Sequence, residues 1–162
     1  MNSIDLDCWE TRGYYTKNKS WAVYSDKVGK FLAKFSPILE IGAGSCFWAS
    51  KLRNLGAEVV VYDKYPVQKR AKNHYCRQTY VKPWIGGPEK VKKYPNHTLF
   101  LCWPPYADSM AYDALRKFQG NRVIYIGEGY GGCTGCDKFH NLLESWDRLD
   151  VDITVSSFYG PN

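Results

Sequence analysis

Ser36-Pro37-Ile38-Leu39-Glu40-Ile41-Gly42-Ala43-Gly44-Ser45-Cys46 is the stretch whose reading decides the fold, taken with Tyr62-Asp63 further along. Ile38 to Ile41 is a short, largely apolar run of the kind that forms a buried strand. A tight turn over Gly42 and Gly44 follows it, and Phe47 to Leu55 then places apolar residues at helical spacing. Gly56 stops that helix. Glu58-Val59-Val60-Val61-Tyr62-Asp63 is a second strand that ends in a carboxylate. Strand, glycine turn, helix, strand and acid make the opening unit of a nucleotide-binding α/β sheet.

The turn itself narrows the ligand. A dinucleotide site uses G-x-G-x-x-G, so that a pyrophosphate can rest on the helix N-terminus. Here Phe47 stands at the third glycine position, where its ring opposes close packing of helix on strand. Glu40, two residues ahead of Gly42, would set negative charge beside a negative ligand. Both features suit a ligand with a positive centre and no phosphate. S-adenosylmethionine is such a ligand, with a sulfonium, an ammonium and a ribose diol for Asp63 to grip.

At these residues the chain resembles the class I S-adenosylmethionine-dependent methyltransferases. Glu40-Ile41-Gly42-Ala43-Gly44 is similar to their glycine motif, Asp63 to the acid ending their second strand, and Cys102-Trp103-Pro104-Pro105-Tyr106 to their fourth motif. The resemblance implies a doubly wound, mostly parallel α/β sheet and S-adenosylmethionine as cofactor. It implies cofactor contacts from Glu40, Gly42, Ala43, Gly44, Asp63, Lys64, Trp84, Cys102 and Trp103. Pro104 and Tyr106 would face the methyl acceptor. Amino-group methyltransferases of this kind carry Asp, Asn or Ser before Pro-Pro, to accept a hydrogen bond from the amine. Trp103 holds that place here, and an indole has a donor but no acceptor. The Pro104 carbonyl and a stacking Tyr106 are what remain on that loop.

Length and composition set the outer bounds. With 162 residues and 44% hydrophobic content, one domain with its own core is expected, an arm and helix over 1–36 and a sheet core over 37–162. No apolar run reaches membrane-spanning length. Six cysteines scattered through an α/β enzyme read as reduced thiols, and so as a cytoplasmic setting. The net charge of +6 is concentrated: Lys64 to Lys93 holds nine Lys or Arg against one acid, Glu89, while the remainder holds thirteen basic and fifteen acidic residues. With Tyr75, Tyr80, Trp84 and Tyr94 interleaved, this segment reads either as a nucleic-acid contact or as a solvated lysine-rich face.

Along the rest of the chain, residues 1–24 show no period but are rich in Trp and Tyr, an arm expected to pack over the sheet or the ligand mouth. Asp26 to Phe35 is an amphipathic helix capped by Ser25. Val67 to His74 is a basic helix candidate, Gln78 to Val81 a third strand, Pro83 to Pro88 a loop and Pro88 to Tyr94 a helical turn. Thr98 to Cys102 and Val123 to Ile126 are continuous apolar strands. The helices after them begin at Asp108 or Ser109 and at Asp137. Val151, Ile153 and Val155 alternate with Asp152, Thr154 and Ser156, the period of a half-exposed edge strand. A seventh, antiparallel strand would follow that one in the methyltransferase fold. None is visible, so either another subunit, a partner protein or the arm finishes the edge, or the fold tolerates the loss.

Glu128, directly after a strand and ringed by glycines, is the candidate general base or acceptor-orienting carboxylate. Cys133-Thr134-Gly135-Cys136 with His140 has zinc-like spacing but lacks a second ligand pair, so no metal is expected. Three functions remain. A methyltransferase acting on a nucleic acid or a planar small molecule comes first, a cofactor-binding partner module without transfer activity second, and a dinucleotide oxidoreductase a distant third.

Overall fold

A computed structural model describes residues 9–67, 73, 75–157 and 160–161. Five strands form one all-parallel sheet: β1 (Ile38–Ile41), β2 (Val59–Asp63), β3 (Trp84–Ile85), β4 (Thr98–Cys102) and β5 (Val123–Ile126), in the order β3-β2-β1-β4-β5. Strand order reverses between β1 and β4, the Rossmann-like arrangement that opens a crevice at the strands' carboxyl ends. The helices are α1 (Trp9–Asn18), α2 (Asp26–Ala33), α3 (Phe47–Asn54), α4 (Met110–Lys117) and α5 (Asp137–Leu143), with a 3-10 helix over Pro88–Lys93.

The central strands β1, β2 and β4 are buried because both faces of the sheet are covered there. Ile38, Val59, Val61 and Phe100 pack with α2 and α3 through Val28, Leu32, Trp48 and Leu52. Leu39, Ile41, Leu99 and Leu101 pack with α4 and α5 through Ala114, Leu115 and Phe139. Alternate residues of β1 and β4 thus enter different cores, as the two-residue period of a strand requires. Ser25 caps α2 by accepting the Val28 N–H at 3.4 Å, as its sequence position suggests.

Three expectations need correcting. Gln78 to Val81 is not a strand; the third strand is Trp84–Ile85, inside the stretch read as a loop, and it pairs in parallel with Tyr62 and Asp63. Val151 to Val155 forms no strand. Ile153 and Val155 lie half-buried on the α2 side of the core while Val151, Asp152 and Thr154 face outward, so the alternation records one-sided packing without a ladder. The two short strands after it, β6 (Ser156–Ser157) and β7 (Gly160–Pro161), pair antiparallel with each other and not with the main sheet. The arm of residues 1–24 contains α1, a helix whose apolar residues do not keep to one face. The helix candidate at Val67 to His74 lies almost wholly outside the described residues.

Candidate functional site

A cavity of about 580 Å³ opens at the carboxyl ends of β1, β2 and β4, where the strand order reverses. Its floor is the turn after β1. Gly42 has φ +72° and Gly44 φ +55°, left-handed conformations that glycine adopts without a Cβ penalty. A Cβ on Gly42 would lie 2.6 Å from Met110 Cε, so the turn is also packed tightly against the start of α4. The Gly42 and Ala43 N–H groups both donate to the Tyr62 carbonyl, at 2.9 and 3.2 Å, which ties the turn to the end of β2.

Two carboxylates stand at this floor. Asp63 is buried, accepting the Gly44 N–H at 2.8 Å through Oδ2 and the Tyr65 N–H at 2.7 Å through Oδ1. Burial pushes its carboxyl above the ordinary value, while these two N–H groups pull it back. Glu40 is 2% exposed, and its Oε2 has no hydrogen-bond partner among the described residues. Burial first, and the nearby Asp63 second, push its carboxyl up to about 8. A buried carboxyl with an unfilled acceptor, on a cavity wall, is a place for a donor or a cation.

The N-terminal arm forms the facing wall, as expected of an aromatic arm. Arg12, Thr16, Lys19, Ser20 and Trp21 all line the cavity. Ser20 Oγ accepts the Trp48 Nε1–H at 2.9 Å, and Ser45 Oγ donates to the Lys19 carbonyl, so the arm is fastened to α3 and to the glycine turn. Trp21 Nε1 is buried without a partner among the described residues. Phe47 explains why the third glycine is missing. Its ring makes edge contacts with Tyr15, Tyr24 and Tyr80 at centroid separations of 6.4, 6.0 and 5.0 Å, filling the space between α3 and the arm.

The opposite wall comes from the segment after β4 and the loop after β5. Cys102, Trp103, Pro105, Tyr106 and Glu128 reach the cavity. Trp103 has φ +53°, left-handed for a bulky residue, and its N–H donates to the Ile126 carbonyl at 2.6 Å. Glu128 Oε2 accepts the Cys133 N–H. Thr134, wholly buried, locks this loop: its Oγ1 accepts the Glu128 N–H at 2.7 Å and lies 2.7 Å from the Tyr125 hydroxyl. His140 Nε2 lies 2.8 Å from the Thr134 carbonyl, a contact within the loop. Asp108 accepts the Met110 N–H at 2.8 Å and so serves as a helix cap.

Most of the residues singled out from sequence therefore meet at one cavity: Glu40, Gly42, Ala43, Gly44, Asp63, Lys64, Cys102, Trp103, Tyr106 and Glu128 all line it. Two do not. Trp84 is 70% exposed on the edge strand, outside the cavity wall. Pro104 is buried, and its carbonyl already accepts the Gly135 N–H at 2.9 Å. The arm residues Arg12, Lys19 and Trp21 had no signal beyond the aromatic content of their segment, and Met110 read only as a core residue of its helix. No protein-family model matches the chain, and neither a curated protein nor a solved structure matches it.

Proposed function

We propose that this cavity binds S-adenosylmethionine and that the chain transfers its methyl group to a planar acceptor. The observation that carries the reading is Glu40: a buried carboxyl with an open acceptor position, two residues before the glycine turn. That site favours a cationic ligand, beside which the carboxyl ionises, and offers a diphosphate no positive charge to pair with. The glycine turn offers a close backbone approach, and Asp63 keeps lone pairs beyond those used by Gly44 and Tyr65 for a ribose diol. From the arm, Trp21 Nε1 offers an unfilled donor, and Arg12 and Lys19 bring positive charge suited to the carboxylate of an amino acid. When bound, the cofactor supplies an electrophilic methyl group.

On the acceptor side, Tyr106 presents a half-exposed ring for a flat substrate, and Glu128 is placed to take a proton or hold the attacking group. Because the reaction discharges a cation, aim matters more than charge stabilisation, and the buried Thr134 lock holds Glu128 in place.

A second reading, a cofactor-binding module without transfer activity, is favoured by one feature. The Trp103 indole has no acceptor atom and the Pro104 carbonyl already accepts the Gly135 N–H, so neither residue offers a side-chain acceptor of the kind that orients an amine. Calorimetric titration with S-adenosylmethionine, S-adenosylhomocysteine and NADH tests the cofactor, with binding expected from the first two only. Transfer of labelled methyl into fractionated extract, comparing the wild type with Glu128→Ala, separates the enzyme from the module.

A further inference from the structure

The surface beside the cavity carries charge and rings that the cofactor site does not use. Six basic residues of the Lys64–Lys93 segment are among those described: Lys64, Arg77, Lys82, Lys90, Lys92 and Lys93. Of these, only Lys90 forms an ion pair among the described residues, with Glu89 at 3.6 Å. Glu89 is the segment's single acid, and its Oε1 also accepts the Gly87 N–H at 3.0 Å, so it neutralises none of the other five. The strip continues onto α1, whose Lys17 carbonyl accepts the Arg77 N–H at 2.8 Å. Uncompensated positive charge at this density marks a polyanion surface.

Apolar side chains are left uncovered within the same strip. Trp84 is 70% exposed and Ile85 66%, on the outermost strand of the sheet, while Tyr65 and Tyr75 are 63% and 51% exposed at the cavity mouth. Ile85 is the register partner of Asp63, so the exposed edge runs about 4.8 Å from the strand that ends in the cofactor-site acid. Gly86 and Gly87, which follow β3, are themselves part of the cavity wall. A chain lying along this edge is therefore led into the pocket.

We infer that the β3 edge is a track for single-stranded nucleic acid, with bases stacked on Trp84, Tyr75 and Tyr65 and phosphates on the unpaired lysines, delivering one base into the cavity as the methyl acceptor. Unpaired bases offer π-faces to such rings; those of a duplex are already stacked on one another. Delivery of the acceptor base rests on the cofactor reading above, whereas the track does not.

Fluorescence anisotropy with a labelled twelve-nucleotide strand, as RNA and as DNA, tests the track on the full chain. The wild type binds both or one of them, and the RNA and DNA arms identify which. Trp84→Ala weakens binding roughly tenfold while Trp84→Phe keeps most of it, since stacking needs a ring and not an indole. Reversal of three exposed lysines, Lys82→Glu/Lys92→Glu/Lys93→Glu, lowers the slope of log affinity against log salt by about 2, at roughly 0.7 for each phosphate the protein no longer neutralises. Thermal melting of each variant establishes that it is folded. The track is wrong if the strand fails to bind at low salt, or if Trp84→Ala binds as the wild type does. Equal or tighter binding of a duplex, of inorganic polyphosphate or of anionic vesicles also refutes it. Calorimetry with S-adenosylmethionine on the same proteins keeps the two readings apart: cofactor binding without strand binding sinks only the track, and the reverse sinks only the cofactor.

Discussion

Glu40 shows how one residue can carry a functional reading. Its folded-state value is raised to about 8 from 4.5, so in the ligand-free protein it stays protonated at neutral pH, whereas the unfolded chain ionises it. The stability it allows is complete below about pH 4.5 and declines as pH rises through about 8. Thermal melts from pH 5 to 8.5 are expected to show a falling midpoint, with Asp63 adding in the same direction, and Glu40→Gln to flatten most of that slope. Binding a cation beside Glu40 draws the carboxyl to its ionised form. Titrations with S-adenosylmethionine at pH 7 in buffers of different ionisation enthalpy should thus report release of about one proton. The glutamine variant should release none. Gly42 makes a simpler case: Gly42→Ala forces a Cβ into a φ of +72° and against Met110, and a loss of about 1–2 kcal/mol is expected in denaturant titration. Both residues were readable from sequence, because a glycine turn and a preceding acid are local facts. Pro104 and Trp84 were not. A carbonyl's partner thirty-one residues away and the outward face of an edge strand depend on tertiary placement, which a motif does not encode.

At the scale of elements, the loop after β5 works because Thr134 closes it. Removing the hydroxyl leaves the Glu128 N–H without its acceptor and the Tyr125 hydroxyl with one partner fewer. Thr134→Val, which keeps the shape, should cost about 1–3 kcal/mol of stability. If the loop's role is to aim Glu128, methyl transfer at saturating S-adenosylmethionine should fall further than the loss of stability explains. An unchanged transfer rate in that variant would remove the loop from the acceptor site. The strands β1, β2, β4 and β5 were legible because each is a largely apolar run with turn residues at its ends, the pattern of a parallel strand covered by helices. β3 was not, since two residues after a proline carry no period. The alternation at Val151 to Val155 misled for the opposite reason. A segment laid across a core surface alternates inward and outward just as a strand does, and the hydrogen bonds that distinguish the two leave no trace in residue type.

Taken as a molecule, three separate parts of the chain wall the cavity: the arm before β1, the turns at the sheet's carboxyl ends and the loop after β5. The arm reaches it through Trp48, whose indole contacts Tyr24 and Phe100 at 5.0 and 6.0 Å and bonds to Ser20, so arm, α3 and sheet share one buried residue. A ligand filling this space must hold all three parts in place at once, and stabilisation by ligand therefore spreads over the whole fold. At a hundred times its dissociation constant a one-site ligand adds about 2.7 kcal/mol, or roughly 5–10 °C in melting temperature for a chain of this size. S-adenosylmethionine is expected to produce that shift and NADH none, since Glu40 and the Phe47 ring oppose a dinucleotide. Hydrogen exchange gives the sharper form of the test. Protection on ligand binding should appear together in Arg12–Trp21, in Gly42–Ser45 and in Glu128–Cys133, because each segment contributes wall to the same space. Protection confined to the glycine turn would mean that the arm and the β5 loop stand apart from the ligand, and that the cavity is not one site.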